Sequence, residues 1–164
     1  MRKTNRQFGL ALMIAATFCA TPPAKADIAK ARLIQKGVTA FECSLFAAFM
    51  SPKGGEAESQ RLFQVGYDSS MAFMEAFDAG NISEEEFREF VRLDVALNLK
   101  RLVPDPAFAI GRVYQDIRKF AADRVLYGRT AAGAIDYDNP RDDFDVEAAE
   151  ARRYYDLAKC SLID

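Results

Sequence analysis

The densest run of side chains able to do chemistry lies at residues 136–147, where Asp136, Asp138, Asp142, Asp143, Asp145 and Glu147 surround Arg141. Laid against a calcium-binding EF-hand loop, Asp136, Asp138 and Glu147 fall at ligand positions 1, 3 and 12. Position 5 is then Pro140, which has no side-chain oxygen, and position 6 is Arg141, where a glycine is needed to turn. An arginine inside the loop also opposes the ion. The run therefore reads as a solvated loop whose acids favour the N-terminus of the helix that follows. Asp136, Asp138, Arg141, Asp142, Asp143, Arg152 and Arg153 are the expected interaction surface, and no metal site is expected.

Other chemistries lack their groups. The 164 residues include no histidine, which removes every acid, base or metal ligand that needs an imidazole. Met71 and Met74 stand one helical turn apart, with Met50 at the end of the preceding segment. Thioethers can hold Cu(I), but a methionine stripe beside Phe73 and Phe77 reads as core. Ser44, Ser51, Ser59, Ser69, Ser70, Ser83 and Ser161 show neither G-x-S-x-G nor S-x-x-K spacing. No phosphate-binding loop, dinucleotide fingerprint or haem-attachment motif is present. No cofactor is expected, and the chain reads as a non-enzyme. Paired carboxylates acting on glycosides are the one catalytic alternative. A net charge of −2, with 28% charged residues, argues against a nucleic-acid surface.

The first 26 residues carry an address. Arg2, Lys3 and Arg6 precede an apolar run from Phe8 to Ala20, and Ala24-Lys25-Ala26 closes the segment. That is the pattern of a secretory signal peptide cleaved after Ala26, with a core too short to span a bilayer. Phe18 before Cys19 is too large for lipoprotein processing. No later segment reads as long and apolar enough for a membrane span, so no membrane insertion is expected after cleavage. Residues 1–26 hold four basic residues and no acidic one, so residues 27–164 carry a net charge of −6. Cys43 and Cys160 remain, and an isolated pair in an oxidising compartment reads as one disulfide. The chain-entropy argument gives such a long loop about 4–5 kcal/mol.

The elements that must position these groups follow from periodicity. Ile34, Val38, Phe41, Leu45 and Phe49 make a helical stripe that must stop before Ser51-Pro52-Lys53-Gly54-Gly55. A second helix, 56–79, has Phe63, Tyr67, Ser70/Met71, Met74 and Phe77 as its stripe, and Gly80-Asn81 ends it. Ser83-Glu84-Glu85-Glu86 is a capping box, stapled by Ile82 and Phe87, that starts a helix at Glu84. Beyond Phe90 the reading divides. Val91, Leu93, Val95, Leu97 and Leu99 alternate like an extended segment, whereas leucine and alanine favour helix. Asp105 and Pro106 then start a helix that runs to Tyr127, with Ile110, Val113, Ile117, Phe120/Ala121 and Val125 inward and Gly128 as its stop. Gly66 is the expected close-packing mate of Gly111. A polar loop leads to a last helix, 144–160, with Val146, Ala149, Leu157 and Cys160 on its inner side. The expected fold is all-α: one bundle-like domain, 27–164, of four to five helices with the first and last joined by the disulfide.

Four short stretches carry a resemblance: Phe41-Glu42-Cys43, Arg61-Leu62-Phe63 with Gly66-Tyr67, Phe108-Ala109-Ile110-Gly111-Arg112, and Cys160-Ser161. On these the chain resembles a group of uncharacterised small exported bacterial proteins that are helical and contain a disulfide, and that likeness implies no activity. In format, being small, helical and exported, the chain is also similar to immunity proteins that guard the periplasm against secreted toxins. The expected function is a periplasmic, non-catalytic module that binds a protein partner as an inhibitor or immunity protein does. A helical carrier is the alternative. The 13 phenylalanines, all but Phe8 and Phe18 in residues 27–164, could with Met50, Met71 and Met74 line an apolar cavity.

Overall fold

A computed structural model describes residues 28–50, 55–99 and 105–164. The expected signal peptide, its expected cleavage site and Cys19 lie outside the described residues. A single turn, α1 (Ile28–Ala31), leads into α2 (Leu33–Met50), and α3 (Gly55–Asp78), α6 (Pro106–Leu126) and α7 (Phe144–Leu157) all pack on α2. The expected stripe of α2 is buried at Ile34, Val38, Phe41 and Leu45, and so are Ala40, Cys43, Ser44, Phe46 and Ala47. With neighbours on nearly every side, this helix is apolar almost all round. Ala29–Met50 is consequently long and apolar enough to cross a membrane by length and composition, contrary to the sequence expectation. More than half of its most apolar stretch is buried inside the fold.

The α2–α3 seam is closer than the stripe on α3 suggested. A Cβ on Gly66 would stand 2.6 Å from the Phe41 ring and 3.1 Å from the Gly37 carbonyl oxygen, and one on Gly37 would stand 2.3 Å from Ser70 Oγ. The two backbones touch because neither residue has a side chain there. Gly37, not Gly111, is therefore the mate of Gly66. Gly111 is exposed on α6, and a methyl added to it would meet nothing within 4 Å. The close approach turns α3 so that Leu62, Gly66, Ser70 and Phe73 form its innermost line, while Phe63, Tyr67, Met71 and Phe77 flank it half-buried.

The capping box is present in full. Ser83 Oγ accepts from the Glu86 amide at 3.2 Å, and Glu86 Oε2 accepts from the Ser83 amide at 2.9 Å, opening α4 (Glu84–Phe90). Ile82 and Phe87 are buried beside it. After a break at Val91–Arg92 the chain forms a second short helix, α5 (Leu93–Leu99), which decides the divided reading. Val95 and Leu99 face inward and Leu93 and Leu97 outward. Their alternation in sequence is two one-turn stripes on opposite faces of a helix. Asp105 caps α6 by accepting from the Ala107 amide at 2.9 Å. The inward residues of α6 are as expected, except that Phe120 is exposed beneath the Arg124 guanidinium, 4.4 Å from its ring centre.

Two corrections concern the C-terminal third. The expected polar loop contains an antiparallel hairpin, β1 (Tyr127–Arg129) with β2 (Ile135–Pro140). Gly128 does not end α6 in a left-handed turn; Tyr127 turns extended and enters β1. Thr130 and Gly133 close the hairpin with backbone hydrogen bonds, and Tyr127 meets Tyr137 edge-on at 5.0 Å. The inner face of α7 is also different. Ala151 and Tyr155 are buried and Tyr154 stacks on Phe46, whereas Val146 and Ala149 are exposed and Leu157 is 67% exposed. The helix stops at Leu157, a left-handed Lys159 (φ 55°) reverses the chain, and a 3-10 turn (Cys160–Leu162) carries Cys160 inward. The Cys43–Cys160 disulfide, with Cα atoms 5.5 Å apart and both residues fully buried, joins the middle of α2 to this turn.

Candidate functional site

The charged residues expected to form an interaction surface divide between scaffold and solvent. Arg141 turns inward. Its Nη1 donates to the carbonyls of Arg124 (3.1 Å), Val125 (2.7 Å) and Tyr127, and its Nη2 lies 3.8 Å from Glu150. One guanidinium thus covers the free carbonyls at the end of α6 and fastens the hairpin to α7. Asp143 caps α7 by accepting from the Asp145 amide at 2.8 Å, and Asp136 accepts from the Asp138 amide at 3.3 Å. Arg153 pairs with Glu150 at 2.8 Å and lies over the Tyr154 ring. Asp138, Asp142 and Arg152 are exposed. Arg141 and Arg153 are brought together on Glu150, and Asp136 and Asp138 by their own hydrogen bond.

A second charged cluster ties α3 to the C-terminus. Glu58 accepts from Arg61 at 2.8 Å and from the Tyr155 hydroxyl at 2.6 Å, and Arg61 also donates to the Ile163 carbonyl at 2.7 Å. The Arg61 hydrogen bonds, helped by Tyr155, hold the Glu58 carboxyl down at about 2. Burial first, and then the Glu58 carboxylate, push Tyr155 up to about 12. Each member is committed to a neighbour, so the cluster acts as a clasp.

The apolar surface that sequence reasoning left unassigned is on the α4–α5 arm. Leu93 is 76% and Leu97 52% exposed, one turn apart on the outer face of α5. With Phe87, Val91 and Ala96 they line a groove of about 390 Å³ whose one charged wall among the described residues is Arg88. The short helices hold it open: α4 is fixed by its capping box and buried Phe87, and α5 by Val95 and Leu99. The signal was visible in the 91–99 alternation, because a two-turn helix with leucine or valine on both faces has only one face to bury.

Among the described residues no three His, Cys, Asp or Glu side chains are grouped so that they could hold a metal ion. Fold and surface together define a disulfide-bonded helical domain with a small hairpin and an apolar groove on a two-helix arm. No protein-family model, curated protein or solved structure matches the chain.

Proposed function

We propose that this protein is an exported, non-catalytic binding module, inhibitor- or immunity-like in action, that takes a helical segment of a protein partner into the α4–α5 groove. The carrying observation is the exposed Leu93–Leu97 pair beside that groove, since apolar side chains one turn apart on a rigid helix are the contacts helix-in-groove recognition uses. Arg88 selects the chemistry of the occupant: an apolar stripe with a carboxylate at its edge. Export is supported by the leader pattern and is compatible with the disulfide. The acidic loop is the weaker surface, because Arg141 and Asp143 are already engaged in the fold.

The test is native mass spectrometry of the processed protein purified gently from the periplasm, as wild type and as Leu93→Asp/Leu97→Asp. These positions are exposed, so the variant should keep its melting temperature and disulfide. A protein mass carried by the wild type and lost from the variant is the expected result. No added protein on the wild type, or the same one retained by the variant, overturns the assignment.

A further inference from the structure

On its other face the arm makes a second site. Phe90 at the end of α4, Arg92 at the break and Val95 of α5 face Ile34, Gln35, Val38, Thr39 and Glu42 of α2 across a cleft of about 340 Å³. That volume lies at the lower end of the range for small-molecule sites. Its two halves differ in character. Ile34, Val38 and Val95 are buried aliphatic walls, and Gln35, Thr39 and Glu42 form a polar row along α2.

The polar row ends in an incompletely satisfied carboxylate. The Glu42 side chain is only 16% exposed, with Arg92 Nη1 at 3.6 Å and Arg124 Nη1 at 4.0 Å. Both are ion-pair distances and too long for hydrogen bonds, and among the described residues no hydrogen bond reaches Glu42. Arg92 is aimed by Asp94, which holds its Nε at 3.2 Å and Nη2 at 2.8 Å and leaves Nη1 directed toward Glu42. Thr39 Oγ1 donates to the Gln35 carbonyl at 2.9 Å and Gln35 Nε2 reaches the Phe90 carbonyl at 3.4 Å, so both side chains keep acceptor oxygens.

A mostly buried carboxylate and an aimed guanidinium, 3.6 Å apart beside an aliphatic wall, suit a molecule with both charges at one end and an apolar body. We infer that the cleft binds a zwitterionic apolar amino acid, its ammonium on Glu42 and Thr39, its carboxylate on Arg92, and its side chain against Ile34, Val38 and Val95. Among the described residues, Glu42, Arg92, Asp94 and Arg124 sum to no net charge, which suits a zwitterion better than a lone cation or anion.

Isothermal titration of residues 27–164 with leucine tests this, alongside N-acetyl-leucine and leucinamide. The expected result is saturable binding, weakened at least tenfold by either blocked end and by Glu42→Gln. The blocked ligands probe both contacts on the wild-type protein, so the test survives a variant that fails to fold. Absence of binding by leucine, or equal binding of the blocked forms, overturns the inference. Neither outcome touches the outer groove, whose test reads a protein mass.

Discussion

The two halves of α2 stand in two different cores. Its first half, Ile34 to Phe41, packs with Phe73, Phe87, Val95, Ile110 and Val113, and its second half, Cys43 to Ala47, packs with Leu62, Ala121, Val125, Ala151, Tyr155 and Cys160. Ring contacts hold the first core, with Phe41, Phe63 and Tyr114 in one group and Phe73, Phe77 and Phe87 in another. The second is held by the disulfide, the Glu58–Tyr155–Arg61 clasp and the Arg141 cap. Charge-assisted hydrogen bonds contribute roughly 1.5–3 kcal/mol each, and a disulfide typically about 2–4. The clasped half has its directional contacts internally engaged. The aromatic half closes with two short helices and leaves both a groove and an under-bonded carboxylate facing outward. Elements that move or bind tend to come from the less stable part of a fold. On the proposed function, recognition falls on the arm and permanence at the clasp.

Removing the disulfide breaks that comparison most directly. Cys43→Ser/Cys160→Ser should lose about 2–5 kcal/mol of unfolding free energy, read from the denaturant midpoint. Hydrogen exchange localises the loss: amides of α7 should lose protection while those of α5 keep the exchange rates of the wild type. Equal loss in both helices would show one cooperative unit and end the division into halves.

What was legible in the sequence were the local signals. The Ile34–Leu45 stripe, the Ser83–Glu86 box and the Asp105-Pro106 start each depend on residues within a few positions, and the cysteine pairing follows from counting. What was not legible depends on distant partners. The hairpin is fastened by Arg141 to carbonyls 14 to 17 residues away. The register of α3 is set by Gly37 on another helix, and the face of α7 by Phe46 and the Lys159 reversal. Charge density drew attention to residues 136–153, where much of the charge is structural, while Leu93 and Leu97 looked like a question of secondary structure.

The pH response should also distinguish the halves. Glu58 titrates at about 2 in the fold against an ordinary 4.5, so its stabilisation is complete above pH 4.5 and is lost as pH falls toward 2. Its side chain is 28% exposed, and solvent screening reduces the effect to on the order of 1–2 kcal/mol. Tyr155 has the opposite sign. Raised from 10 to about 12, it stabilises below pH 10 and less as pH rises through 12. Melting from pH 7 to 2.5 should show an acid limb that Glu58→Gln flattens, with α7 losing exchange protection before α5. An unchanged acid limb in that variant would remove the clasp from the comparison.

The smallest effect is the sharpest probe of the aromatic half. Gly111 lies within α6 above the first core, on the exposed side, where an added methyl meets nothing within 4 Å. At Gly66 the same methyl would press on the Phe41 ring, so the chain uses glycine for close contact at one site and leaves the other free of that constraint. Glycine inside a helix costs about 1 kcal/mol relative to alanine. Gly111→Ala should therefore raise stability by roughly 0.5–1 kcal/mol, slow amide exchange in the first half of α6, and leave partner binding at the α4–α5 groove unchanged, because Gly111 does not line it. A loss of stability on this substitution would mean that the face of α6 beside Phe108 and Arg112 is covered in solution. The arm would then not be the only candidate surface on the aromatic half among the described residues, and the contrast between the halves would have to be redrawn around α6.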